Sequence, residues 1–133
     1  MLMQQAVGQQ TYNATGTFTP PAGVTTVTVQ AWGGGGRGGA RNNNDNIPLA
    51  GGGGGAYSSG SASVTAGTAS TVTVGGGATN TSAGGDSWFG NATTIMAKGG
   101  GSVANNSNTR GAGGAASSGF GTVTLNGGNG AAS

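Results

Sequence analysis

The chain has 133 residues and contains no cysteine and no histidine. Disulfide staples, thiolate nucleophiles, zinc sites built on those residues and Ser-His-Asp triads are all excluded. Glutamate is absent as well, so Asp45 and Asp86 are the only side-chain carboxylates, against four lysines and arginines. A two-carboxylate hydrolase needs a pair of acids about 5–10 Å apart. Asp45 lies in an asparagine loop and Asp86 opens a short strand after two glycines, places that suit a loop solvator and a turn residue. No residue therefore stands out as catalytic, metal-ligating or cofactor-binding, and the expectation is a protein that is not an enzyme.

Large apolar side chains are scarce too. Val, Ile, Leu and Phe together are about half as numerous as the 33 glycines. Such a composition often signals disorder, but disorder of that kind also needs high net charge, and here the formal net charge is only +2. Glycine loses more backbone entropy on ordering than any other residue. So few large side chains cannot offset that loss by burial alone. The missing stabilisation must come from dense backbone hydrogen bonding, from subunit association, or from both, which favours a homo-oligomer. No apolar run approaches the length of a membrane span, and residues 1–10 lack a basic segment followed by an apolar core. The expectation is a protein made in a cytoplasm without ordinary export.

What is present is strand followed by polyglycine, repeated. Residues 16–19 read as a short strand with Phe18 inward. Pro20-Pro21-Ala22-Gly23 is a turn, with proline where φ must be near −65° and glycine where φ can turn positive. Residues 24–32 form the longest strand, with Val27, Val29 and Ala31 on one face and Thr26, Thr28, Gln30 and Trp32 on the other. These first two strands are expected to form a hairpin. Further strands are read at 55–65, 69–75, 86–90, 93–98 and 120–125, and glycine-rich segments fill 33–55, 75–85, 99–119 and the tail. Each such segment can be a flexible loop or an extended threefold helix, in which only glycine allows close side-by-side packing. Nowhere do apolar residues recur at helical spacing. The expected fold is all-β, a small antiparallel β-sandwich with polyglycine-II-like segments at one end and no long helix. Residues 1–14 form a polar N-terminal arm and residues 15–133 the glycine-rich β domain.

Three stretches, GTFTPPAGVTTVTVQAWGGGG (16–36), GGGGGAYSSGSASVTAGTASTVTVGGG (51–77) and GGDSWFG (84–90), carry a resemblance. Together they resemble a glycine-rich domain common in phage and prophage structural proteins. The resemblance implies a place on a virion surface, as a capsid decoration or short head-fibre subunit, released from the host by lysis. It implies other virion proteins as partners through residues 1–13, and a homotrimer. Glycine-rich adhesins at fibre tips, similar in pattern, use variable loops between packed polyglycine helices to touch the host. A tail-fibre or tail-tip adhesin, binding host glycans or an outer-membrane protein, is thus the alternative. A glycine-rich extracellular fibre protein is a more distant one.

Under the adhesin alternative the candidate host-contact residues are Asn42, Asn43, Asn44, Asn80, Asn105 and Asn106. The candidate core or interface aromatics are Phe18, Trp32, Tyr57, Trp88, Phe89 and Phe120; exposed aromatics can stack on sugars, but more often plug a small core or an interface. Nucleotide binding is not expected, because the many glycine matches to G-x-G-x-x-G sit in no βαβ unit and no phosphate-loop lysine motif is present. Nucleic acid is not expected either. The segment GGGGRGGAR (33–41) is like Arg-Gly-Gly segments that bind single strands, but four scattered cations neutralise few phosphates.

Overall fold

A computed structural model describes residues 8–43 and 46–133. Its regular elements are seven strands, β1 (Gly16–Phe18), β2 (Thr26–Trp32), β3 (Tyr57–Ser63), β4 (Ser70–Thr73), β5 (Ser87–Phe89), β6 (Ile95–Ala97) and β7 (Val123–Leu125), with one 3-10 turn at Ala116–Ser118. They form two antiparallel sheets, β1-β4-β5-β6 and β2-β3-β7. The expected all-β class and the absence of a long helix hold among the described residues.

The expected hairpin between the first two strands does not form. β1 pairs with β4, Gly16 opposite Val72, while β2 pairs with β3, Thr26 opposite Ser63. The Pro-Pro-Ala-Gly turn carries the chain from one sheet to the other. Two successive prolines supply no N–H to a ladder, which disfavours direct pairing of the flanking strands. Pro20 is instead fully buried, and its carbonyl accepts the Gly67 N–H at 2.9 Å. Gly23 adopts φ 84° as the turn chemistry required, and the Val24 N–H closes the turn on the Pro21 carbonyl at 3.1 Å.

The core is thin. Ala31, Ala62, Phe89, Ile95 and Ala97 are buried, and Phe18, Val27, Val29, Val64 and Val72 pack around them half-exposed. Small residues bring the sheets close where β5 and β6 lie over β2 and β3. Strand alternation is kept in β2, with Val27, Val29 and Ala31 inward and Trp32 outward. All three β6 residues are buried, Ile95 and Ala97 in the core and Met96 where Phe120 bridges to it through paired backbone bonds of 2.9 Å.

Every glycine-rich segment leaves the sandwich from the same end. Segments 33–40, 50–56, 75–78, 84–86, 98–104, 111–115 and 126–131 run alternately away from and back toward the strands. They are ordered and packed, not loops. Hydrogen bonds between them recur every third residue: Gly33, Gly36 and Gly39 donate to Ala56, Gly53 and Ala50, at 2.9, 2.7 and 3.0 Å. Gly111 and Gly114 donate to Gly51 and Gly54, both at 2.9 Å, and Gly100 and Val103 to Gly34 and Arg37, both at 2.8 Å. A repeat of three is that of an extended left-handed helix, which cannot satisfy its own backbone and must bond to neighbours. At many of these glycines the spacing leaves no room for a side chain, although Ala50, Ala56 and Val103 are buried among the segments. A Cβ on Gly36 would fall 2.0 Å from the Gly101 carbonyl oxygen, and one on Gly55 1.9 Å from that of Gly33.

Candidate functional site

Because the segments alternate in direction, the connections between them emerge away from the sandwich. Segments 33–40 and 50–56 are joined by loop 41–49, and segments 98–104 and 111–115 by loop 105–110. The two loops are knitted together. The Asn42 N–H donates to the Asn106 side-chain oxygen at 3.0 Å, and the Asn106 N–H donates to the Ala40 carbonyl at 3.0 Å. The Ala50 N–H reaches the Ser107 carbonyl at 3.3 Å. Asn106 has φ 54°, the one non-glycine residue with positive φ among the described residues. Asparagine tolerates this left-handed region better than most residues.

Arg37 ties the loop pair to the bundle. Its backbone N–H donates to the Ser102 hydroxyl oxygen at 2.7 Å, and its guanidinium donates to the Asn105 side-chain oxygen. The Ser102 hydroxyl in turn donates to the Ser82 carbonyl at 2.6 Å, which anchors the shorter loop 79–83 lower on the same bundle. That loop closes on itself, the Asn80 side chain accepting the Ser82 N–H at 2.8 Å. Arg41 holds loop 41–49 from within, through Asn46 at 3.4 Å and the Ile47 carbonyl at 3.2 Å.

The structure therefore divides the asparagines expected at this end. Asn42, Asn43 and Asn80 are exposed. Asn105 and Asn106 are half-buried and use their side chains to hold the loops. Asn44 lies outside the described residues, as does Asp45. Arg37, which the sequence offered only as part of the Arg-Gly-Gly-like segment 33–41, completes the scaffold together with Ser102 and Ser107.

Charge is unevenly placed. Lys98 pairs with Asp86 at 2.8 Å where the sandwich meets the bundle, and the other Asp86 oxygen accepts the Gly99 N–H at 2.8 Å. The three arginines, Arg37, Arg41 and Arg110, lie toward the loop end. No group of three His, Cys, Asp or Glu that could hold a metal occurs among the described residues.

The six candidate aromatics occupy four environments. Phe18 and Phe89 meet at the core, with ring centroids 6.2 Å apart. Trp88 is half-buried on the opposite face of β5. Trp32 and Tyr57 pair on the outer face of the second sheet at 5.2 Å, with Trp32 61% exposed and Leu125 next in the same row. Phe120 remains 43% exposed beside β6.

Among known families, the one described as a glycine-rich domain matches residues 10–133. No curated protein and no solved structure gives a match to the chain.

Proposed function

We propose that the chain, which belongs to the glycine-rich domain family, is a non-enzymatic structural subunit on the surface of a phage virion, most simply a capsid decoration or short head fibre. The observation that carries the reading is the bundle itself. A stack of extended helices bonded every third residue, packed largely through glycine backbone, is a stiff mount that presents loops away from a small sandwich. Such a construction suits display on a particle. The exposed Trp32, Leu125 and Phe120 fit the expectation that copies associate, with a trimer as the proposed state. Immunogold labelling of particles from a lysate, with antibody against residues 15–133, tests the reading. Label over the head is the expected result, and label on no particle refutes it.

A second reading, a tail-fibre or tail-tip adhesin, is favoured by one feature. Exposed Asn42 and Asn43 sit with Arg41 and Arg110 at the loop end, an uncharged-polar and cationic surface able to meet anionic or glycan groups on a host. Label confined to the tail tip would select it, and replacing loop 41–49 would then alter adsorption.

A further inference from the structure

The outer faces of the two sheets differ. On the first, the outward row of Thr73, Trp88 and Met96 is largely covered, with Met96 buried and Trp88 half-buried. On the second, the outward row of Trp32, Tyr57 and Leu125 lies open, Trp32 being 61% and Leu125 55% exposed. The row beside it is Gln30, Ser59 and Val123, with Val123 46% exposed. The remaining outward positions of β2 and β3 are threonine and serine. Beyond the open row the strands run on into segments 33–40, 50–56 and 126–131, bonded to one another in the same order. Gly33, Gly36 and Gly53 there turn inward, toward the carbonyls of Lys98, Gly101 and Ala112. Gly35 and Gly54 are exposed, so at these positions no side chain stands beside the row to hold another molecule off.

Two properties decide what fits this face. The first is charge. Every outward residue of β2, β3 and β7 is uncharged. Identical faces carry identical charge, so an uncharged one can meet itself without repulsion. Hydroxyl and amide groups both donate and accept, so the serine, threonine and glutamine positions can also pair with their own kind. The second is area. The exposed parts of Trp32, Val123 and Leu125 come to roughly 300–350 Å², in the range of patches that mark interaction sites. With the polar rows the face offers roughly 700 Å², close to the surface of about 800 Å² that each partner buries in a stable association. Trp32 is already braced, its ring 5.2 Å from that of Tyr57, so little side-chain freedom remains to be lost on contact.

We propose that the outer face of the β2-β3-β7 sheet is the surface at which copies of this chain meet, each copy presenting the same face, with Trp32 and Leu125 as its apolar anchors. This rests on the association proposed above and names its surface; it does not depend on where the protein resides.

Two measurements on the full-length protein test it. Light scattering gives the mass of the intact chain, of Trp32→Arg and of Val123→Arg over a range of micromolar concentrations. Both side chains point outward, and retained amide protection in β3, which is bonded on both sides, shows that each variant is folded. The intact chain is expected to be a multiple of one copy, and each arginine to weaken association at least about a hundredfold, leaving a folded monomer. The second measurement leaves the face unchanged. Trp32 and Trp88 are the only tryptophans, so Trp88→Phe makes Trp32 the sole reporter. Its quenching by acrylamide should be lost as the chain passes from dilute monomer to assembly. This arm decides the matter even if an arginine variant fails to fold. An assembly in which Trp32 stays freely quenched, or which both folded arginine variants still form, overturns the inference while leaving association through another surface. An intact chain that stays monomeric throughout overturns the inference and the association together, but not the place of the chain on a particle, which labelling tests separately.

Discussion

Substituting one interior glycine should be far more damaging than substituting one on the bundle surface, and Gly53→Ala against Gly128→Ala makes the comparison. A Cβ on Gly53 would lie 2.0 Å from the Ala112 carbonyl oxygen and 2.4 Å from its carbon, both backbone atoms that no rotamer change can move. Ordinary contact begins at 3.4 Å, so segment 111–115 must retreat by about 1.4 Å. That segment is held by Gly111 to Gly51 and Gly114 to Gly54 at 2.9 Å, and by Gly101 to Ala112 at 2.7 Å. Losing two or three such bonds at about 1 kcal/mol each, plus residual strain of about 1–2 kcal/mol, gives a destabilisation of about 3–5 kcal/mol. At roughly 4 °C per kcal/mol for a chain of this size, the melting temperature falls by about 12–20 °C. Gly128 has nothing within 4 Å of its Cβ position and no positive φ, so alanine there should be neutral or stabilising by about 0.4–1 kcal/mol. Thermal and urea unfolding of both variants, followed by circular dichroism, reads the difference. Two variants within about 0.5 kcal/mol of each other would refute the packed bundle.

Asp86→Ala should cost about 1–3 kcal/mol, because it strands the buried Gly99 N–H that the carboxylate accepts. Lys98→Ala should cost no more than about 1 kcal/mol, since its ion pair is partly exposed; equal urea midpoints for the two would contradict this. Ser58→Ala should be neutral or slightly stabilising by calorimetry, because the fully buried hydroxyl has no hydrogen-bond partner. At Asn106, glycine keeps the left-handed conformation and loses only the bond to Asn42, whereas alanine adds strain of about 1–2 kcal/mol. The alanine variant should melt lower than the glycine variant, and the reverse order would refute the loop geometry.

The parts of the fold legible in the sequence were those set by local periodicity. Val27, Val29 and Ala31 face the core because strand alternation admits only two faces, and Gly23 turns where the proline pair requires it. Pairing was not legible at β1 and β2. A short turn between two strands reads as a hairpin, and what overrode it was the burial of Pro20 and its bond to Gly67, a contact over long sequence distance. The order of the glycine segments was undetermined for a related reason. A glycine run has no side chain to announce its neighbours, and its partners are other glycines equally featureless in sequence. Only the three-residue recurrence of hydrogen bonds, a property of the assembled bundle, reveals the lattice. At the loop end, Asn42, Asn43, Asn105 and Asn106 looked alike in sequence; the Arg37 guanidinium and the left-handed turn at Asn106 separate exposed from structural asparagines.

The division of labour between sandwich and bundle follows from where side chains are allowed. At the tightest glycines of the bundle, such as Gly36, Gly53 and Gly55, the exclusion of a Cβ closes the position to variation, while Ala50, Ala56 and Val103 are buried among the segments. Outside it, the connecting loops are bonded mainly to one another and to the end of the lattice through Arg37, Ser102 and Asn106. A change in the exposed part of loop 41–49 therefore disturbs few contacts with the segments beneath it. Rigidity and variability are thus assigned to adjacent stretches of one chain. A mount packed mainly through glycine backbone can hold loops of differing sequence in fixed relation, without a large apolar core to support them.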